Sequence, residues 1–267
     1  MKDRPSEPDV SPSAPKVGIQ LYTLRTQLEA DPRGTLRRLV EIGFAGVETA
    51  FFAGEFSRNK AAQLLKEFDL PVCAAHCALP VGGQEQDFLE IAQTFQCPRM
   101  VWHGWPMDSR YQTADGTREL AHIYNQVCHV SKSHGLGFGL HNHWWEFERQ
   151  PDGHSPYEVL LESLDPEVFF EVDTYWAKVA GQDPARIIGQ MAGRVPLMHV
   201  KDGPGDKTSP MLALGTGVQD FKSMISASRN QVEWLIVEFD TCATDIFVAL
   251  EESYRYLTRN GLVRGRV

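Results

Sequence analysis

The chain has 267 residues, 42% of them hydrophobic, and a formal charge of −9. That length carries a full core and suits one α/β barrel domain, while the acidic balance disfavours a nucleic-acid backbone as partner. No apolar stretch approaches the ~20 residues that cross a bilayer, so no membrane partner is expected.

Residues 1–15, "MKDRPSEPDVSPSAP", are rich in Pro, Ser and charge and lack the apolar run of a signal peptide. They have too little apolar surface to offset the entropy of ordering, which predicts a loose tail. The remainder, 16–267, reads as one domain. Short apolar runs follow: "VGIQLY" (17–22), "GVETA" (46–50), "VCAAH" (72–76), "MVWHG" (100–104), "GFGLHNH" (137–143), "VFFEVD" (168–173), "VPLMHVK" (195–201) and "WLIVEF" (234–239). Helix-like segments separate them. "DPRGTLRRLVEIG" offers Asp31 as N-cap, Pro32 in the first turn and Gly43 as a stop. The segments 118–135 and 244–261 also end in Gly, and "SPYEVLLESL" (155–164) opens on Ser155 and Pro156. Eight strand-then-helix units imply parallel pairing and a (β/α)8 TIM barrel. The competing open sheet is weakened because no G-x-G-x-x-G follows the first strand. Cys73, Cys77, Cys97, Cys128 and Cys242 are an odd number without zinc-ribbon spacing. They read as reduced, mostly buried thiols of a cytoplasmic protein.

In such a barrel the active site lies at the C-terminal ends of the strands. Those ends carry Gln20 and Tyr22, Glu48, His76, His103, His141 and His143, Glu171 and Asp173, His199 and Lys201, and Glu238 and Asp240. Residues two apart on a strand share a face. One strand-end His is usually a hydrogen-bonded structural residue. A buried carboxylate without a partner is costly, and several of them converging on one mouth are best compensated by a cation. Mixed imidazole and carboxylate donors suit Mn, Zn, Fe, Co or Ni better than Ca. Lys201 either steadies a developing oxyanion or pairs with Asp202 or Glu171, and Asp202 is a candidate to orient His199. Trp102, Trp105, Trp144, Trp145, Tyr175 and Trp176 flank the strand ends as core or as a stacking wall at the mouth. "LGTGVQDF" (214–221) is either a backbone cradle for phosphate or a plain turn before a helix capped by Asp220.

Taken in order, "VGIQLYTLR", "TLRRLVEIGFAGVETA", "LHNHWWEFE", "EVDTYWAKVAGQDP", "HVKD", "LGTGVQDF" and "ESYRYL" resemble the sugar phosphate isomerase/epimerase family. This belongs to the xylose-isomerase-like TIM-barrel superfamily, with the inosose dehydratases, ketose 3-epimerases and endonuclease IV-type AP endonucleases. The resemblance spans about residues 16–258. It implies a divalent metal, Mn first and Zn, Co, Fe, Ni or Mg as other candidates, held by residues from strands 5 to 8. Carried over by position, Asp173, His199 and Glu238 are ligands. His141 stands where many members have a Glu ligand, and is expected as the fourth. Glu238, His141 and Lys201 are then the catalytic candidates; Glu48, His76, His103, His143, Trp105, Trp144 and Trp176 are the substrate-binding ones. The implied activity is sugar isomerisation or epimerisation by proton abstraction beside a carbonyl. Because His141 replaces a glutamate, dehydration of a sugar or inosose on the same site is the alternative, and a catalytically silent sugar-binding barrel is the other. The partner is a small sugar or keto-sugar; homo-oligomer formation is left open. One expectation concerns the tail alone: deleting it should leave the melting temperature nearly unchanged in a thermal scan, whereas a fall of many degrees would mean that it docks.

Overall fold

Each apolar run of the sequence forms a strand. The computed structural model describes residues 14–50, 57–104, 106–191 and 193–266. Its strands are β1 (Lys16–Gln20), β2 (Gly46–Thr49), β3 (Val72–His76), β4 (Arg99–Trp102), β5 (Gly137–His141), β6 (Phe169–Asp173), β7 (Leu197–Val200) and β8 (Trp234–Val237). They run in sequence order round a closed parallel barrel, with β1 against β8. Each connection carries at least one helix, which gives the expected (β/α)8 architecture. No helix among the described residues is long and apolar enough to cross a membrane.

The helix boundaries follow from local chemistry. Asp31 accepts the Gly34 N–H at 2.9 Å ahead of the helix Pro32–Ile42. Gly43 closes that helix at φ +113°, a left-handed conformation that glycine adopts without a Cβ penalty. Ser155 and Glu158 form a reciprocal capping box on the helix Pro156–Ser163, an arrangement worth about 1 kcal/mol. All five cysteines are free, four of them buried.

Below the mouth the barrel is filled by Cys73, Ala74, Val101, Leu197, Trp234 and Ile236, with Phe169 packed against them. Two glycines make room for the large rings. A Cβ at Gly46 would lie 2.8 Å from the Trp234 ring, and one at Gly139 would lie 2.3 Å from Phe169. This floor raises the polar residues of the strands to the mouth. Register then sorts them into tiers, because paired residues of parallel strands point to the same face. Gln20 pairs with Glu48, and His141 with Glu171. Asp173 pairs with His199 one step nearer the mouth.

The expected tail, 1–15, falls mostly outside the described residues. Its last two residues are tied down: the Pro15 carbonyl accepts the Arg264 N–H, and the Ala14 carbonyl accepts Arg264 Nε–H, both at 2.8 Å.

Asp202 corrects one sequence expectation. It does not orient His199. Lying next to Lys201, it faces away from the barrel interior and accepts four backbone N–H groups. Oδ1 takes those of Gly203 (2.9 Å) and Gln219 (3.2 Å); Oδ2 takes those of Gly215 (2.9 Å) and Gly217 (3.0 Å). The glycine-rich turn therefore wraps a carboxylate of its own chain, and Asp220 caps the following helix Phe221–Ala227. Charge-assisted bonds of this kind are the stronger ones. Asp202→Ala should lower stability in urea titrations by about 3 kcal/mol and admit protease cleavage within 203–219. A loss below about 0.5 kcal/mol, the usual effect of an ordinary surface change, would show that the turn holds itself.

Candidate active site

The upper tier is built round Asp173 and His199. Asp173 ends β6 and caps the short helix Thr174–Val179, its Oδ1 accepting the Trp176 N–H at 2.8 Å. Asn142 grips the same residue through the backbone: its Oδ1 accepts the Asp173 N–H (3.0 Å) and its Nδ2 donates to the Asp173 carbonyl (3.1 Å). The carboxylate is thus held by one oxygen. The other, Oδ2, is buried without a hydrogen bond of good geometry among the described residues and faces the Lys201 ammonium at 2.9 Å. His199 Nδ1 lies 2.8 Å from Glu238 Oε2, and Lys201 Nζ lies 2.8 Å from that same oxygen. Asp173, His199 and Glu238 bring one donor atom each within 4.8 Å of one another, close enough to share a metal ion.

The lower tier holds Glu48 and Glu171, both fully buried. Glu48 Oε2 accepts from Gln20 Nε2 at 2.7 Å and lies 2.6 Å from His199 Nε2. Glu171 Oε2 lies 2.7 Å from His76 Nε2, 3.1 Å from His141 Nδ1 and 3.3 Å from His199 Nε2. His76, His141, Glu171 and His199 form a second group with metal-compatible spacing. The four residues expected to bind one metal are therefore divided. Three cluster in the upper tier, while His141 reaches toward it with Nε2, 3.9 Å from Asp173 Oδ2.

Burial is the largest influence on every one of these groups, and the neighbouring charges decide where each ends up. Burial lowers His76, but Glu48 and Glu171 outweigh it and lift the imidazole to about 10. His199 is raised well above the ordinary range against burial, by Glu171, Glu48 and Glu238. Burial and then His199 hold His141 well below it. Burial and Lys201 bring His143 to about 3; burial and His76 bring His103 to about 4. The neighbouring charges thus favour the protonated ring at His76 and His199, and burial favours the neutral ring at His141, His143 and His103. Lys201 stays charged because Asp173, Glu238 and Asp240 outweigh its desolvation. Burial raises the Glu238 carboxyl, but Lys201 and His199 overcome it and hold the group below the usual range. At Asp173 burial wins, and the carboxyl is raised.

The remaining sequence candidates fall as follows. His103 stacks on His76 with centroids 6.1 Å apart, and His143 meets His141 edge-on at 5.0 Å. Trp144 and Trp176 form a tilted pair at 4.7 Å, with Lys201 over Trp176 and Lys207 over Trp144. Trp105 lies outside the described residues. Tyr175 is not part of a sugar-facing wall: it is fully buried, and its hydroxyl bonds the Asp206 carbonyl (3.3 Å) and the Gly205 N–H (3.2 Å). Lys201 pairs with neither Asp202 nor Glu171. Its partners are Asp173, Glu238 and Asp240, at 2.9, 2.8 and 2.8 Å. Two residues went unselected in the sequence. Asn142 is one, although its place between two strand-end histidines marks it as near the mouth. The other is Glu146, whose carboxyl is raised well above normal by burial and accepts the His143 N–H at 2.8 Å.

Comparison with known proteins agrees with this architecture. A profile described as "Xylose isomerase-like TIM barrel" matches residues 36–257. A search of curated proteins finds no significant match. A sugar phosphate isomerase/epimerase from Parabacteroides distasonis superposes with a TM-score of 0.78 at 21% identity, covering 98% of this chain and 99% of that one. The probable 3-DHS dehydratase AsbF from Bacillus anthracis gives 0.68 at 14% identity over 91% and 98% of the two chains. The IolI protein, whose structure has a bound zinc atom, gives 0.68 at 13% identity over 92% and 98%. At these identities the likeness is one of fold. The profile match covers most of the sequence, and the chain belongs to the xylose isomerase-like TIM barrel family.

Proposed function

We propose that the protein is a divalent-metal-dependent sugar isomerase or epimerase that removes a proton beside a carbonyl. The observation that carries this reading is the upper tier itself. Two carboxylates and an imidazole converge in a buried pocket where a lysine ammonium already lies against both carboxylates. The donor set fits a metal: Asp173 Oδ2 is buried and poorly satisfied, and mixed N and O donors suit Mn, Zn, Co, Fe or Ni, with Mg as a further candidate. Asp173, His199 and Glu238 would hold the ion, with His141 Nε2 as fourth ligand. Bound there, a divalent ion would polarise the substrate carbonyl.

The chain's own residues supply the rest. Of the four inner carboxylates only Glu238 keeps measurable exposure, 7%. It is the one that can meet a substrate proton, and it is ionised and so able to accept it. Lys201 lies on the same oxygen and can turn between Glu238 and Asp240 as charge moves. The Trp144–Trp176 pair offers an apolar face for a sugar ring and excludes water. An uncharged sugar or keto-sugar is the substrate class best supported. The N–H groups of the glycine-rich turn are spent on Asp202, Lys207 is paired with Glu148 at 2.6 Å, and Arg25 donates to the Tyr22 and Asp240 carbonyls.

Dehydration is the second reading, and His76 favours it. Its imidazole is cationic and 10% exposed, so it can protonate a departing hydroxyl.

The test uses ketoses, 3-keto sugars and inososes with Mn-loaded protein in D2O, followed by NMR. A substrate should exchange a carbon-bound proton, and Glu238→Gln should slow that exchange by about 100-fold or more, with metal content measured alongside. Altered stereochemistry at constant composition selects the isomerase or epimerase; loss of water selects the dehydratase. Tight sugar binding without exchange would favour a silent binding barrel. Independently, Asp173→Ala and His199→Ala should each lose bound metal by elemental analysis. Full occupancy in both would place the metal elsewhere.

A further inference from the structure

We propose that Glu48 and Glu171, which lie beneath the metal pocket, act as positioning residues. They orient the rings of His199 and His141 so that His199 presents Nδ1 and His141 presents Nε2 to that pocket. The proposal rests on the metal reading above.

The two nitrogens of an imidazole lie on different edges of the ring, so a bond to one decides what the other faces. His199 Nε2 is 2.6 Å from Glu48 Oε2, and Nδ1 is 2.8 Å from Glu238 Oε2. Turning the ring over would set a C–H against a fully buried carboxylate, leaving that charge without its donor. His141 stands in a similar place on β5, its ring close to Glu171 without hydrogen-bond geometry: Nδ1 is 3.1 Å from Glu171 Oε2, while Nε2 lies 3.9 Å from Asp173 Oδ2. The β5–β6 register explains why. His141 is level with Glu171, and Asp173 stands one inward-facing position higher, so the His141 ring spans the two tiers.

The glutamates are themselves held. Gln20 Nε2 donates to Glu48 Oε2 at 2.7 Å. His76 Nε2 sits between the two carboxylates, 2.7 Å from Glu171 Oε2 and 3.4 Å from Glu48 Oε2. The lower tier also has metal-compatible spacing. Its shortest contacts, His76 Nε2–Glu171 Oε2 at 2.7 Å and His199 Nε2–Glu48 Oε2 at 2.6 Å, are hydrogen bonds, as is His199 Nδ1–Glu238 Oε2 in the upper tier, so the number of ions bound distinguishes the tiers.

The experiment loads the full chain and its variants with zinc, chosen because it is diamagnetic. Stoichiometry is read by elemental analysis, affinity by chelator competition, and ring ligation by 15N NMR of labelled histidine. Wild type should bind one ion, with His199 metallated at Nδ1 and His141 at Nε2. Glu48→Gln and Glu171→Gln should each weaken zinc about 10- to 100-fold and blur the corresponding nitrogen pattern. Gln20→Leu leaves both glutamates in place and frees one. It should give a smaller loss in the same direction, and it decides the matter if Glu48→Gln does not fold. Wild-type affinity in all the variants would overturn the proposal. So would a lower metal-free melting temperature with affinity unchanged, which is the signature of packing alone. Two ions per wild-type chain, or zinc on His199 Nε2, would make the lower tier a metal site instead. A wild type that binds no metal would remove the metal reading and this role together, whereas a wild type that binds one ion as expected, with variants that bind it equally well, removes only the role.

Discussion

Four carboxylates sit inside the mouth of this barrel, and their burial sets the terms for everything round them. An isolated carboxylate in such surroundings would give up its charge. Here it is kept, or partly kept, by basic groups at contact distance: His199 against Glu48, His76 against Glu171, and Lys201 against Asp173. None of these pairs stands alone. His199 serves Glu48 and Glu238 at once, and Lys201 serves three carboxylates. Losing one member would therefore uncover several charges, and the network would respond as a unit.

The same constraint explains the scaffold. A tier of polar residues inside a barrel needs a dry floor, which the Trp234, Leu197 and Phe169 layer supplies. It also needs loops that do not compete for its donors. The 203–219 segment is fastened elsewhere, by Asp202 underneath and the Tyr175 hydroxyl at its side. Two residues of "HVKD" thus work on opposite faces of the chain: Lys201 turns into the charge network, and Asp202 turns out to hold the turn.

All eight strands were legible in the sequence, because a short apolar run closed by a helix cap and a glycine stop admits few other readings. The convergence of Asp173, His199 and Glu238 was legible for a related reason: acidic residues directly after "VFFEV" and "WLIV" have no solvent to face. Partner choice was not legible. Lys201 read as a partner for Asp202 because the two are adjacent, yet neighbours on a strand point to opposite faces. It read equally as a partner for Glu171, which lies on the correct face but one position too deep. The opposite shifts of the histidines, two raised and three lowered, were also hidden. They depend on contacts of 2.6 to 3.4 Å between residues up to 151 positions apart. Asn142 escaped because its role is to bond the backbone of another strand, and nothing in its own neighbourhood shows that.

His141 brings these strands of argument together. The resemblance places a glutamate at this position in many members of the family. In this chain a carboxylate there would stand beside Glu171, whose Oε2 is 3.1 Å from the His141 ring, and two ionised carboxylates at that distance repel strongly. His141, Glu171 and His76 therefore make sense as a set: a neutral ring above, a carboxylate in the middle and a cationic ring beside it. The exchange also changes the chemistry available. Of the four inner carboxylates only Glu238 keeps exposure, while β3 and β5 end in the imidazoles of His76 and His141. Stereochemical inversion of a carbon needs a proton acceptor and a proton donor on opposite sides of it. Under the proposed function, Glu238 and His76 would be the candidates for those two parts, and the sugar atom lying next to His76 would decide whether the donated proton returns to carbon or goes to a leaving oxygen.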